Sequence, residues 1–487
     1  MNRSLLTNLF SLLFFLLLIS GCTKKEDADK IPVTTSSAEA EGEFLKGRDL
    51  FDKLRLQNSL QYFEEAIEKD KNFALAYYYD ALASPTAKRF FEQLDKAVAL
   101  ADNVSEGEKL VILASQAGAN GNPAKQKEHL TKLVELYPND ERALSLLGTF
   151  YFVQQQYDDA VMQLKKATEV APDYSAPYNM LGYSLKNLGK YDEAGKAFEK
   201  YTKLIPDDPN PYDSYAELLM KAGKYEESIE QYKKALSIDP NFVASHIGIA
   251  TNYNYMGKYD EARSQLQKLY GMARNDGEKR AALFSMTVSY LDEGNTEMAL
   301  KEMEKQNQLG AQINDAAAIS GDLNTIGNIL FEEGKYDDAL SNYNKSLQVM
   351  EESNLSEEVK ENTRRFALYN QSRVALMKND LATAKARSKE FGEKANAANN
   401  TFQKWLSHEL EGLIALKEKN YDKAEVELKQ ANMQNPYTYY RLALVYKGKN
   451  DKESAKTQCE MAINFNSLNN MNQSFARTKG KEMLTSL

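Results

Sequence analysis

The side chains best suited to hold a metal or move a proton are three histidines, His129, His246 and His408, and they lie far apart in the chain. None has a second ligand at the spacing by which a helix chelates a metal. Glu409 follows His408, but no second histidine completes the His-Glu-x-x-His helix of a zinc hydrolase. The pairs Asp158-Asp159, Glu226-Glu227 and Asp337-Asp338 are of the right type for general acid–base work. Each falls at the expected start of a helix, where unpaired N–H groups favour negative charge, so the expected role is structural. Cys459 is a lone thiol in the body of the chain, and there is no glycine-rich phosphate loop, no Gly-x-Ser-x-Gly and no Cys-x-x-Cys. These residues imply no catalytic site, no metal and no cofactor, and the chain is not expected to be an enzyme.

The elements that carry these side chains are periodic. Pro138, Pro172, Pro206 and Pro240 stand 34 residues apart, and Tyr157, Tyr191, Tyr225 and Tyr259 repeat the interval. On that register small residues fall into columns: Gly148, Gly182, Ala216 and Ala250, then Ala160, Ala194, Ser228 and Ala262. Bulky residues at helical spacing lie between them, as in Leu144, Leu147, Tyr151 and Leu164. Each unit therefore reads as two amphipathic helices in close contact. In Gly-Lys-Tyr-Asp-Glu-Ala, which occurs at 189–194 and 257–262, the glycine ends the first helix and the acids begin the second. The proline closes the second helix, since it lacks an N–H and clashes with the preceding turn.

These columns resemble the tetratricopeptide repeat, most closely in units starting near 107, 141, 175, 209 and 243. Looser units are carried by Gly47, Phe63 and Ala66; by Ala299 and Met303; by Gly327, Tyr336, Ala339 and Tyr343; by Ala384; by Gly412, Tyr421, Ala424 and Pro436; and by Ala455 and Ala462. The segment 74–106 is expected to be a further pair. The resemblance implies an all-α fold, a right-handed α-solenoid of stacked antiparallel helix pairs, with about twelve units and a C-terminal capping helix near 470–485. Cys459 falls in the column of Leu164, Phe198 and Tyr232 and is expected to pack between helices. Near 274–280 the unit spacing grows, which sets a soft boundary and a candidate hinge between an N-terminal array, 41–276, and a C-terminal array of longer units, 277–487.

The front of the chain differs in kind. Arg3 precedes an apolar run from about Leu5 to Ile19, and Ile19-Ser20-Gly21-Cys22 follows. This order of charge, apolar run and small residues reads as a secretory signal over residues 1–21. Its ending resembles the bacterial lipobox, which implies that Cys22 is lipidated and becomes the mature N-terminus, holding the body to a membrane outside the cytoplasm. Thr23 behind the cysteine resembles lipoproteins of the outer membrane, and Lys24 to Asp27 is reminiscent of a surface-export signal. Residues 22–40 are expected to form a flexible tether, polar as far as about Glu43, with a reach of at most roughly 60 to 70 Å.

A formal net charge of −9 and the alternation of lysines with acids argue against nucleic acid as a partner. In a solenoid of this type the first helices line the concave face. The repeat frame places Asn179, Tyr183 and Asn187, then Asp213 and Glu217, then Thr251, Asn254 and Tyr255, on the exposed side of that face. Further along it places Asn324, Asn328, Tyr369, Arg373 and Tyr440 there. Asparagine donates to and accepts from a peptide backbone, and tyrosine adds contact area with a polar tip, so the expected partners are other proteins or extended peptides. As solvent-facing groove residues, Asn324 and Asn328 would be replaceable by alanine without thermal cost. The Lys and Asn set by which some relatives clamp a C-terminal carboxylate is not found. The reading is a membrane-anchored scaffold or adaptor of the cell envelope; the alternatives are a surface receptor or uptake component for a glycan or host ligand, and a non-catalytic subunit of an envelope enzyme complex.

Overall fold

The computed structural model describes residues 29–487; Cys22, the preceding leader and the first tether residues lie outside them. Helix pairs follow one another without interruption: α1 (Ala38–Asp52) with α2 (Leu56–Lys69), α3 (Ala74–Ala83) with α4 (Ala87–Leu100), α5 (Glu106–Ala119) with α6 (Pro123–Leu136), and α7 (Glu141–Val153) with α8 (Tyr157–Val170). Next come α9 (Ala176–Asn187) with α10 (Tyr191–Leu204), α11 (Asn210–Lys221) with α12 (Tyr225–Ile238), α13 (Val243–Tyr255) with α14 (Tyr259–Met272), and α15 (Asp276–Glu293) with α16 (Thr296–Gln312). The last are α17 (Ala316–Glu332) with α18 (Tyr336–Glu351), α19 (Glu357–Met377) with α20 (Leu381–Ala397), α21 (Thr401–Lys417) with α22 (Tyr421–Gln430), and α23 (Pro436–Gly448) with α24 (Lys452–Ile463). A lone helix, α25 (Met471–Thr485), closes the stack. This is a right-handed α-solenoid of twelve pairs and a cap. Among the described residues there is no strand, and no helix is long and apolar enough to cross a membrane.

Local chemistry explains the pairs. Gly189, Gly223, Gly257 and Gly334 end first helices with φ between 74° and 78°, the left-handed conformation that glycine adopts without penalty. Asn379 and Asn450 take the same position in later units. Within each pair a small residue admits a bulky one from the facing helix: a Cβ added at Gly182 would stand 2.5 Å from the Phe198 ring, and one at Gly327 would stand 2.5 Å from Tyr343. Cys459 is buried against Ala443 and Met483, in the expected column. A further link crosses three of the four repeat prolines. Tyr178 and Tyr212 donate to the carbonyls of Pro172 and Pro206 at 3.1 and 2.9 Å, and His246 Nε2 bonds Pro240 at 2.9 Å, which accounts for that histidine.

Helices α7 to α14 run 12 to 14 residues, whereas α15 to α21 run 16 to 21. The superhelix does not remain an open rod, because successive turns touch. Arg55 Nε donates to Asp208 at 2.8 Å, Asn275 donates to Gln57 at 2.6 Å, and the backbone N–H of Lys88 donates to Asp315 at 3.1 Å. Asn400 reaches the carbonyl of Gly121 at 3.2 Å. At the far end, Lys221 donates to the Phe465 carbonyl and Tyr225 to Asn466 at 3.0 Å.

Part of the expected tether is ordered. The Ile31 N–H donates to Asp140 at 2.9 Å, the Thr34 N–H to Glu108 at 2.7 Å, and the Ser36 N–H to Asp70 at 2.9 Å, so residues 30–37 form a strap across the first four pairs. Polar composition suggested a mobile chain; what binds the strap is a row of carboxylates that the fold places beneath its N–H groups.

The notch between paired helices gives a paired test. Gly182→Ala should lower stability by about 1–3 kcal/mol, since the new methyl group collides with Phe198. Gly195→Ala, in α10 with open space around it, should raise stability by up to about 1 kcal/mol through helix propensity. Denaturant unfolding of both variants checks the notch, and equal shifts would refute it.

Candidate functional site

Because the turns touch, the concave face is divided into cavities. One of about 550 Å³ lies in the C-terminal half, lined by α17, α19, α21, α23 and the start of α25. Four residues singled out in the sequence meet there: Asn324, Asn328, Tyr369 and Arg373. They do not stand free. Asn324 Nδ2 donates to the Ser320 carbonyl at 3.0 Å and to Ser346 Oγ at 2.5 Å. Asn328 Oδ1 accepts from Tyr343 at 2.9 Å and from Arg373 at 3.1 Å. Their replacement would leave buried partners unpaired, so the expectation of substitution without thermal cost fails.

Around the cavity floor six side chains close a ring. Arg373 faces Glu332 at 3.9 Å and lies 5.3 Å from the centre of the Tyr369 ring. The Tyr369 hydroxyl donates to Glu409. Arg441 Nη1 lies 2.5 Å from Glu409 Oε2, an ion pair whose N–H is not aligned for a hydrogen bond. The Arg441 guanidinium covers Tyr437 at 4.5 Å, and the Tyr437 hydroxyl returns to Glu332 at 2.7 Å. Lys479 from α25 adds a second cation to Glu332 at 2.8 Å. Burial acts to raise the Glu332 carboxyl, but Lys479 and Arg373 more than offset it and hold the group below its ordinary value. Two glutamates against two arginines and one lysine leave the floor with one positive charge in excess.

Glu332, Glu409, Tyr437 and Arg441 were not singled out in the sequence. A signal was there: Tyr369 and Arg373, and Tyr437 and Arg441, are both Tyr-x-x-x-Arg pairs on first helices, separated by twice the 34-residue interval. Phe402 sits at the rim, 45% exposed, with the Phe366 ring at 6.4 Å and the ring of Trp405, the chain's only tryptophan, at 6.5 Å.

A second cavity, of about 570 Å³, lies in the N-terminal half. Asn179, Tyr183, Asp213 and Glu217 line it from the first helices. Leu54, Leu56 and Pro85 line it from the neighbouring turn. Asn179 is buried and accepts from Ser214 Oγ at 2.8 Å. The Tyr183 hydroxyl donates to Glu217 at 2.9 Å, and Lys186 pairs with Glu217 at 3.2 Å. Asp213 accepts from Ser245 Oγ at 2.6 Å and has no ion-pair partner among the described residues. Burial, and then Glu217, push the Asp213 carboxyl up to about 8.

The other sequence candidates go elsewhere. Asn187 is half-buried at the end of α9 and lines neither cavity. Asn254 is buried and accepts from Ser289 Oγ at 2.7 Å. Tyr255 donates to the Ser467 carbonyl and lies under the Arg477 guanidinium, 4.0 Å from its ring centre, so it docks the chain's own C-terminal segment. The repeat frame did not show the burial of these groups, because packing between successive units and turns covers them. Among the described residues no group of three or more His, Cys, Asp or Glu could hold a metal.

Residues 176–208 and 436–467 match a family model described as tetratricopeptide repeat, and residues 216–251 match one described as TPR repeat. No curated protein matches the chain. A tetratricopeptide repeat protein from Parabacteroides merdae is similar at 15% identity over 54% of this chain and 99% of its own, with a TM-score of 0.36. The MamA protein is similar at 22% identity, over 34% of this chain and 89% of its own, with a TM-score of 0.28. Pseudomonas aeruginosa pilF is similar at 17% identity, over 44% and 89%, with a TM-score of 0.31. The chain thus contains tetratricopeptide repeats, modules that generally mediate protein–protein interaction.

Two measurements probe these networks. Glu409→Gln should cost about 3–5 kcal/mol, because it leaves Arg441 buried without its counter-charge. Glu409→Leu combined with Arg441→Met should recover much of that loss on denaturant unfolding, and no recovery would mean the pair is not the unit. For Asp213 the folded value lies above the unfolded one, so stability is fullest at acid pH and declines as pH rises toward about 8. Asp213→Asn should therefore flatten the fall of melting temperature between pH 5 and 9; parallel wild-type and variant curves would contradict this.

Proposed function

We propose that this protein is a non-catalytic scaffold or adaptor of a bacterial cell envelope, held to a membrane by lipid on Cys22, and that its C-terminal cavity receives an extended segment of a partner protein. One observation carries the reading: a cavity of about 550 Å³ whose wall carries both amides, such as Asn370, Gln434 and Asn472, and the aromatic rings of Phe366, Phe402 and Phe475. Amides can pair with a peptide backbone in both directions, and rings supply area for apolar side chains. Phe402 is 45% exposed at the rim, an apolar surface that a partner would cover. The repeats support the general role, and the Ile-Ser-Gly-Cys ending supports the anchor.

The strap bears on how the anchor would act. From Cys22 to the first docked residue, Lys30, the chain can extend at most roughly 25–30 Å, about half the reach expected for a free tether. A body so held stays beside the bilayer with its first four pairs nearest the membrane.

Co-purification from detergent-solubilised membranes tests both parts. Phe402→Glu should release the partner without lowering the melting temperature, while Val426→Glu, at a 58%-exposed position outside the cavity, should retain it. Cys22→Ser should move the protein out of the membrane fraction. Retention with Phe402→Glu and loss with Val426→Glu would place the partner elsewhere, and an unchanged fraction for Cys22→Ser would remove the anchor.

A further inference from the structure

We propose that the N-terminal cavity is a binding site for a primary ammonium group on an alkyl stem, with Asp213 as its counter-ion. The charges at this site are unequal in a way that those of the C-terminal ring are not. Glu217 already has partners, the Lys186 ammonium at 3.2 Å and the Tyr183 hydroxyl at 2.9 Å. Asp213 is 3% exposed, lines the cavity, and has one hydroxyl donor; Lys186, committed to Glu217, acts on it only from a distance, and no cation among the described residues is within ion-pair reach. A carboxyl so placed, with an open volume of about 570 Å³ before it, is a buried acceptor without an ion-pair partner of its own.

The rest of the lining selects the ligand. The rim arginines do not serve Asp213: Arg55 pairs with Asp208 at 2.8 Å and Arg274 with Glu278 at 2.7 Å. An anion entering would meet Asp213 and Glu217 together. A cation would be drawn to them, and Met180, Phe242 and Ile247, facing Leu56 and Pro85, would enclose its apolar stem. The chain itself shows the head-group chemistry one turn away, where Lys186 lies 4.3 Å from the centre of the Tyr183 ring and against Glu217. The ammonium therefore has a carboxyl that ionises to receive it, and its stem an apolar wall already in place.

Binding must be linked to protons. The groups that face Asp213 are Tyr183 and Lys186 on α9, Tyr201 on α10, Glu217 on α11 and Tyr232 on α12. His246 on α13 is turned away to Pro240 and Gln265. None of the tyrosines ionises near neutral pH, because burial raises each of them. An ammonium prefers the ionised carboxylate, so amine affinity should rise about tenfold per pH unit below the Asp213 value and level off above it.

The test uses the full chain in detergent micelles, with n-pentylamine and N-acetyl-lysine N-methylamide as probes. Pentanol and N-acetyl-norleucine N-methylamide serve as uncharged controls. The amines should raise the melting temperature with concentration, more strongly at pH 8 than at pH 6, and the controls should not. A stronger response to the lysine derivative points to a lysine side chain of a protein as the source, and a stronger response to pentylamine points to a free amine. Asp213→Asn should abolish the response while its own melting temperature at pH 8 stays at or above wild type, and Glu217→Gln should weaken it several-fold. Phe402→Glu, in the other cavity, should leave it unchanged, so the amine site and the partner cavity can fail separately. No shift with either amine, equal shifts with the controls, or a wild-type response from Asp213→Asn would overturn the proposal.

Discussion

The interaction on which the rest depends is a bulky side chain seated in a notch left by a small one on the facing helix. Gly47 with Phe63, Gly148 with Leu164, Gly182 with Phe198, Gly327 with Tyr343 and Gly412 with Leu428 are the same contact repeated, always sixteen residues apart. It fixes the distance and angle within a pair, and the pair then presents its remaining apolar face to the next. No pair can hide that face alone, so stability arises from neighbours, as in any quasi-one-dimensional stack.

A stack of this kind is normally an open surface. Here the pitch is short enough for the turns to meet, and polar contacts such as Arg55 with Asp208 and Asn275 with Gln57 tie the first pairs to units far along the chain. The C-terminal segment closes the other side, through Tyr255, Lys221 and the Arg477 guanidinium. The groove holds two chambers whose floors differ in their polar groups. The N-terminal one has carboxylates at its floor, and the C-terminal one has a ring of arginines and glutamates with a lysine in surplus.

That ring illustrates why buried charge is kept. Each arginine is held by a carboxylate and a tyrosine face at once, so the cost of removing it from water is offset only while the whole circuit is intact. The circuit joins four consecutive pairs, α17 to α24, and orients the cavity wall. The same residues that shape a chamber for a partner also hold the units in register, and this is the reason the asparagines of the groove, Asn324 and Asn328, are bonded rather than free.

Much of the fold was legible in the sequence, because its determinants are local and repeated. Prolines and tyrosines at one interval, glycine at the end of first helices, and small residues in fixed columns specify a helical pair, and twelve copies with a final helix specify a solenoid. The same frame placed Asn179, Tyr183, Asp213, Tyr369 and Arg373 on first helices, and in the structure they line the two cavities. It could not show which of them would be buried, that Glu332 and Glu409 complete a ring, or that residues 30–37 are bound rather than loose. Periodicity records what each unit needs from its immediate neighbour. The closure of the superhelix depends on a small rotation per unit, accumulated over many units, and side chains more than a hundred residues apart meet only once that sum is complete.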